Sequence, residues 1–262
     1  MDYEGLVADF VEKYLREKYN LSISSLDNWF GFHLGKFIAN LDGNRFEFLD
    51  IVTSKTPQYI ANEINTDSYN IKSIDFKPGD VVIDIGANIG MLSIFLAKRY
   101  PFLKIYAFEP ANLNYNNFLK NIEINGVEPN TITVEKLAVT GDARTVTLGF
   151  NTTNSGGSGL VEYGFKGKGF ISKDEDKDIK SITLDQIFEK YDIKNVKLLK
   201  IDCEGSEFEI LKNCKKKNLK KIKNLRGEFH QDLNVRPENS NDELIELCEK
   251  YIPSVDIADL RS

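Results

Sequence analysis

The sequence predicts a doubly wound α/β domain: a mostly parallel, Rossmann-like sheet with helices on both faces. Three observations carry this. Val81-Val82-Ile83-Asp84-Ile85 is a short, almost wholly apolar run, as a strand buried on both faces requires. A turn bounded by glycines, Gly86 to Gly90, follows it and opens onto a helical stretch. Further on, apolar runs of strand length alternate with helical patterns, which demands parallel pairing through crossover helices.

Residues 1–75 read as a small cap and residues 76–262 as the main domain. Leu6, Val7, Phe10, Val11, Tyr14, Leu15 and Tyr19 recur at helical spacing, so residues 3–19 are expected to be an amphipathic helix. An aromatic stretch, Trp29, Phe30 and Phe32, comes next with His33, and is expected to be core. Residues 37–41 and 45–49 flank Asp42-Gly43-Asn44, a hairpin signal. A short helix is expected over 56–64.

In the main domain Pro78-Gly79 breaks the chain before the first strand. A helix over 91–100 stops before Pro101, and a second strand, 105–108, is closed by Glu109-Pro110. Asn112 is placed to cap a helix that ends at Asn125-Gly126, where glycine supplies the left-handed position. A third strand is expected over 131–139. The glycine-rich stretch 151–169 is expected to be a lid. Thr183 with Gln186, and Ser240 with Glu243, form capping-box patterns for two further helices. Strands are expected at 196–202, 224–230 and 255–260, with a helix at 207–214.

The net charge of −6 gives no general pull toward nucleic acid or anionic membrane. No apolar run is long enough to span a bilayer. The three cysteines, Cys203, Cys214 and Cys248, match no metal or disulfide framework, so a reducing, cytoplasmic setting is expected. Lys212 to Lys223 contains seven lysines in twelve residues. With no aromatic residue interleaved, that run reads as a solvated helix end rather than a nucleic-acid surface.

The chemistry is carried by strand tips. In Asp84-Ile85-Gly86-Ala87-Asn88-Ile89-Gly90, Gly86 allows a sharp turn and close approach of a ligand, and Gly90 allows tight helix packing. The spacing is not that of a dinucleotide loop, because Asn88 and Met91 stand where its second and third glycines belong. Asp84 would repel a pyrophosphate and suits a ligand with a positive end. Glu109, 19 residues after Gly90, lies where an acid can accept from both hydroxyls of a ribose.

These motifs, with the Asn154-Ser155-Gly156-Gly157-Ser158 loop and Leu198-Leu199-Lys200-Ile201-Asp202-Cys203-Glu204-Gly205-Ser206-Glu207, resemble the FkbM-type methyltransferase family over about residues 75–230. The last motif is the most specific; the glycine turn alone points only to the wider class I methyltransferase fold. The resemblance implies S-adenosylmethionine as cofactor. It implies O-methylation of a small-molecule, sugar or lipid-like hydroxyl. It also implies donor contacts at Asp84, Gly86, Ala87, Asn88, Gly90, Glu109, Pro110, Ala138 and Asp202.

Methyl transfer needs an aligned acceptor and a group that takes its proton. Asp202, Glu204 and His230 are the candidates, with Glu228 on the same strand face as His230 and Lys200 within the strand before Asp202. Replacement of His230 or Asp202 by alanine is expected to remove turnover and spare donor binding. Cys203 reads as a packed residue rather than a nucleophile. No metal is expected, although Asp202, Glu204 and His230 have the chemistry to hold a hard divalent cation. Two rivals remain. A nucleic-acid methyltransferase would carry an Asn/Asp-Pro-Pro-aromatic turn where this chain has the acidic Asp202-Cys203-Glu204-Gly205. A non-catalytic nucleoside-binding module would bind the donor without turnover. The acceptor and the oligomeric state are not legible.

Overall fold

A computed structural model describes residues 23–29, 32–164, 170–171, 176–231 and 240–261. The expected N-terminal helix, Phe30, Gly167, Gly169 and residues 173–175 of the charged run lie outside the described residues, as do the side chains of Trp29, Phe32 and His33.

Three antiparallel strands come first, β1 (Ile23–Trp29), β2 (Phe32–Leu41) and β3 (Asn44–Ile51). Asp42 and Gly43, both at positive φ, make the two-residue turn of the β2–β3 hairpin, and Asn44 already pairs with Leu41. Helix α1 (Thr56–Thr66) follows, with proline in its first turn.

The main sheet is built from β4 (Val81–Ile85), β5 (Lys104–Phe108), β6 (Ile132–Glu135), β12 (Leu198–Ile201), β13 (Asn224–Gln231) and β14 (Ser254–Arg261). These six strands are all parallel, in the order β14-β13-β12-β4-β5-β6. Helices α2 (Met91–Arg99) and α3 (Asn112–Ile124) follow β4 and β5. Helices α4 (Leu184–Lys190), α5 (Glu207–Asn213), α6 (Lys216–Leu219) and α7 (Asn241–Glu249) complete the crossovers. The doubly wound α/β expectation is met. The order reverses between β4 and β12, so the switch-point crevice opens beside their C-terminal ends.

Alternation along β4 and β12 explains why both strands read as apolar. Val82 and Leu198 enter one core with α2 and the β2–β3 hairpin; Ile83, Ile85, Leu199 and Ile201 enter a second core with α4, α5 and α7. The expected boundary near residue 75 falls between α1 and β4. Phe46 and Phe48 of the hairpin share the first core with Ile94 and Phe95 of α2. Asn121 of α3 ties the hairpin down. Its amide donates to the Leu49 and Ile89 carbonyls and accepts from the Leu49 N–H.

Several expectations need correction. The strand expected over 131–139 stops at Glu135. Ala138–Val139 (β7) leaves the main sheet to pair in parallel with Ser181–Ile182 (β11). Asn112 does not cap α3; it is the first helical residue, and its N–H donates to the Asp176 carboxylate, which supplies the cap from a distant loop. The Thr183–Gln186 capping box forms with both bonds. At Ser240 the hydroxyl accepts from the Glu243 N–H.

The glycine-rich stretch is more anchored than a lid. It holds β8 (Leu148–Asn151) and β9 (Gly159–Leu160), with β10 (Phe170–Ile171) after it pairing back onto β8, and Ser155 between β8 and β9 is buried against Asp50, Ser54 and Thr56. The lysines of the 212–223 run are exposed or half-buried, as a solvated helix end requires. No helix among the described residues is long and apolar enough to cross a membrane.

Candidate functional site

Two cavities lie along the switch-point crevice. The larger, about 270 Å³, sits under α1 between Glu63, Tyr69, Leu92, Phe95, Asp84, Lys200 and Glu228. The smaller, about 40 Å³, is walled by Phe108, Glu109, Pro110, Asn114, Ala138 and Leu160. Both are lined by Gly86, Asn88, Gly156, Asp202 and Glu204, which mark where they meet.

The tip of β4 forms the near wall. Gly86 is at φ +74, and a Cβ there would lie 1.8 Å from the Asp202 carbonyl oxygen. The glycine is therefore demanded by the neighbouring strand tip, a reason not visible in the sequence. At Gly90 a Cβ would strike the Phe118 ring at 2.0 Å, so this glycine seats α2 against α3 rather than against its own strand. Asn88, itself at positive φ, aims its N–H at Glu109 Oε2, 2.8 Å away.

Glu109 is buried. Its other oxygen accepts from the Ala111 N–H at 2.9 Å and from the Asn114 amide at 3.4 Å. Burial pushes its carboxyl up to about 7, against the pull of those hydrogen bonds. Asn88 Oδ1 and Asn114 Oδ1 are buried without a hydrogen-bond partner among the described residues. Both belong to residues that line the smaller cavity.

Lys200 resolves the question of where a lysine in an apolar strand goes. It stands opposite Asp84 in the parallel register, and its ammonium lies 3.7 Å from Asp84 Oδ1 and 3.5 Å from Asp202 Oδ2. It also donates to the Gly86 carbonyl at 3.1 Å. Burial disfavours its charge, but Asp202, Asp84 and Glu63 outweigh that and raise its pKa. Asp84 takes the Ser93 hydroxyl on Oδ2 at 2.7 Å, leaving Oδ1 to the more distant lysine.

The tips of β12 and β13 bring Asp202, Glu204, Glu228 and His230 together. His230 Nε2 lies 4.0 Å from Asp202 Oδ1, 3.5 Å from Glu204 Oε2 and 3.6 Å from Glu228 Oε2. Its Nδ1 lies 3.0 Å from Oε1 of Glu207, a fully buried residue. Glu207 also accepts the N–H groups of Cys203 and Gly205, both at 2.9 Å, and so fixes the turn that carries Glu204. Glu204 is held at φ +57, an uncommon conformation for a side-chain-bearing residue.

Burial alone would lower the His230 pKa. The Glu207 contact, then the Glu204 and Asp202 charges, raise it to about 10. Burial and the nearby carboxylates push Glu204 to about 8, against the pull of His230. Cys203 is driven well above its ordinary value by burial and by Glu207 and Asp202, which leaves it no thiolate character.

Ala87 lines the larger cavity, and Pro110 and Ala138 the smaller one. Of the expected donor residues, Gly90 alone lines neither. Sequence reasoning missed three contributors. Tyr69 donates to Glu228 Oε1 at 3.1 Å and approaches Asp202 Oδ2 at 3.5 Å. Glu63, from α1, has its carboxyl pushed up to about 7 by burial and by Asp202. Glu207 was read only as part of a motif. Tyr69 and Glu63 lie far from the strand-tip motifs in sequence; for Glu207, its place four residues after Cys203 was the available signal.

Residues 84–251 match the methyltransferase FkbM domain family. The chain belongs to that family. It is an S-adenosylmethionine-dependent methyltransferase, and the family implies use of that donor. Methyltransferase sdnD of Sordaria araneosa is 28% identical to this FkbM-family enzyme over 204 residues, 69% of this chain and 78% of the relative. The 31-O-demethyl-FK506 methyltransferase FkbM of Streptomyces tacrolimicus is 27% identical over 203 residues, 68% of this chain and 76% of the relative. Methyltransferase 1 of Beauveria bassiana is 27% identical over 170 residues, 59% of this chain and 66% of the relative.

Proposed function

We propose that this methyltransferase transfers a methyl group from S-adenosylmethionine to a hydroxyl oxygen of a small-molecule, sugar or lipid-like acceptor. The observation that carries the reading is the junction of the two cavities at Gly86, Asn88, Gly156, Asp202 and Glu204. A nucleoside in the smaller cavity and an acceptor in the larger one would meet there. The relative named 31-O-demethyl-FK506 methyltransferase acts, by that name, on an O-demethyl compound, which favours oxygen.

The residues present fit the donor. Glu109 and Asn114 offer acceptors to ribose hydroxyls, and Phe108, Ala138 and Leu160 offer apolar walls to the base. Asn88 Oδ1, without a hydrogen-bond partner among the described residues, and Asp84 Oδ1, met only by the Lys200 ammonium at 3.7 Å, suit the ammonium of the amino-acid end. When bound, S-adenosylmethionine supplies an already activated methyl on a sulfonium.

What the protein adds is alignment and a proton acceptor. Glu204 lines both cavities, and a carboxyl raised to about 8 is matched to proton uptake near neutrality. His230, with its pKa near 10, holds its proton at neutral pH in the ligand-free protein; it positions the carboxylates rather than serving as the base. Tyr59, Ile60, Leu92 and Phe95 give the acceptor cavity apolar surface beside its carboxylates.

The test is incubation with donor and a panel of polyols, sugars and hydroxy-lipids, with product location by NMR. A new O-methyl signal, lost in Glu204→Gln, is expected. A methyl found on nitrogen or carbon contradicts the oxygen assignment. Donor that binds but is never consumed supports the non-catalytic module.

A further inference from the structure

We propose that Asp202, Glu228 and His230 form a site for a hard divalent cation, Mn2+ or Mg2+, at the acceptor end of the cleft. One ligand atom from each lies within 4.8 Å of the other two. An octahedral ion with bonds of about 2.1 Å sets neighbouring ligand atoms about 3 Å apart and opposite ones about 4 Å apart. The 3.6 Å from His230 Nε2 to Glu228 Oε2 and the 4.0 Å to Asp202 Oδ1 fall in that range. Both exceed the roughly 2.7–3.2 Å of an ordinary N–H···O hydrogen bond, so these atoms converge without bonding one another.

The other atom of each group is already held. His230 Nδ1 sits against buried Glu207, the carboxylate–imidazole support that metal-ligating histidines use. Glu228 Oε1 accepts from Tyr69, and Asp202 Oδ2 faces Lys200 and Tyr69. Each group is thus held through its other atom, which leaves His230 Nε2, Glu228 Oε2 and Asp202 Oδ1 for an ion.

Charge and solvation point the same way. Among the described residues, the ion pairs to Asp84, Asp202, Glu204, Glu207 and Glu228 come from Lys200 and His230 alone, so negative charge is in surplus. Asn88 Oδ1, in a residue 7% exposed that lines the same cavity, has no hydrogen-bond partner among the described residues, and Asp84 Oδ1 beside it meets only the Lys200 ammonium, at 3.7 Å. Two carboxylates and one imidazole suit Mn2+ or Mg2+ rather than a thiolate-seeking metal. The ion takes the place of the proton on Nε2. Glu228 stands here where the sequence suggested Glu204, because Glu228 is braced by Tyr69 and Glu204 stays available as the proton acceptor. The ion's role, presenting two adjacent acceptor oxygens to the donor, rests on the methyl-transfer reading; its binding does not.

The experiment is Mn2+ titration of the chelator-stripped full-length protein, without donor, followed by electron paramagnetic resonance. One Mn2+ per chain is expected, displaced by excess Mg2+. Affinity should fall at least about tenfold in Glu228→Gln and in His230→Asn and stay unchanged in Glu109→Gln. Circular dichroism melts confirm folding; if either variant unfolds, Tyr69→Phe, which removes the brace on Glu228, should also weaken binding. No Mn2+ binding at millimolar concentration, or equal binding by all variants, overturns the site. Mn2+ bound without any methyl transfer leaves the site standing and removes the function; full transfer in chelator with no Mn2+ bound does the reverse.

Discussion

At the tip of β5 Glu109 is held mainly by main-chain N–H groups, whereas the acids at the tips of β12 and β13 are met by side chains gathered from several elements. Glu109 is held by the N–H groups of Ala111, two residues on, and of Asn88 in the turn after the neighbouring β4. Asp202 and Glu228 are held by Lys200, by Tyr69 from the loop after α1 and, through His230, by Glu207. A main-chain cradle recognises a constant ligand and tolerates little change. A side-chain cluster can be altered residue by residue. Lys200 joins the halves by facing a carboxylate in each.

The contrast can be broken at four points, in falling order of effect. Glu204→Gln should lower kcat by about 10²–10⁴-fold, the usual range for loss of a general base, while the donor Kd stays within about threefold. Steady-state kinetics with calorimetry separates the two. Lys200→Met leaves buried Asp84 without its cation and should cost about 3–5 kcal/mol of stability, read by denaturant melts. A loss below about 1 kcal/mol would mean that the halves are not joined electrostatically.

Glu109→Gln should raise the donor Kd by about 10–100-fold, since hydrogen bonds to a charged group are worth about 1.5–3 kcal/mol, without lowering kcat at saturation. The smallest effect is on pH. Burial raises Asp50 from 3.8 to about 6, and burial raises Glu109 from 4.5 to about 7. Each keeps its proton in the folded protein over a range where the unfolded chain has lost it, so ligand-free stability falls as pH rises from about 4 to 7. His230, raised from 6.5 to about 10, contributes stability that is full below 6.5 and lost as pH rises through 10. Thermal melts across this range should decline with pH, and Glu109→Gln should flatten the stretch between 4.5 and 7.

The same contrast explains what the sequence revealed. The β4 tip, Glu109 and the Asp202–Glu204 turn were legible because each is a local pattern: an apolar strand, then a turn with the right residue types. Gly86 was legible as a turn glycine but not in its reason, because the Asp202 backbone it accommodates lies 116 residues away. Tyr69 and Glu63 were invisible, since nothing local distinguishes a tyrosine that reaches Glu228 from one in a core. The end of the third strand was misjudged because Ala138–Val139 has the right residues for a strand but another partner, β11. Asn112 had the right type for a cap, and a distant carboxylate, Asp176, supplied the cap instead.

A crystal structure with S-adenosylhomocysteine bound tests the central claim most directly. The account predicts ribose hydroxyls on Glu109, the base against Ala138 and Leu160, and the sulfur at the junction beside Gly86 and Asp202. Adenosine seated instead in the larger cavity under α1, with Glu109 untouched, would contradict it.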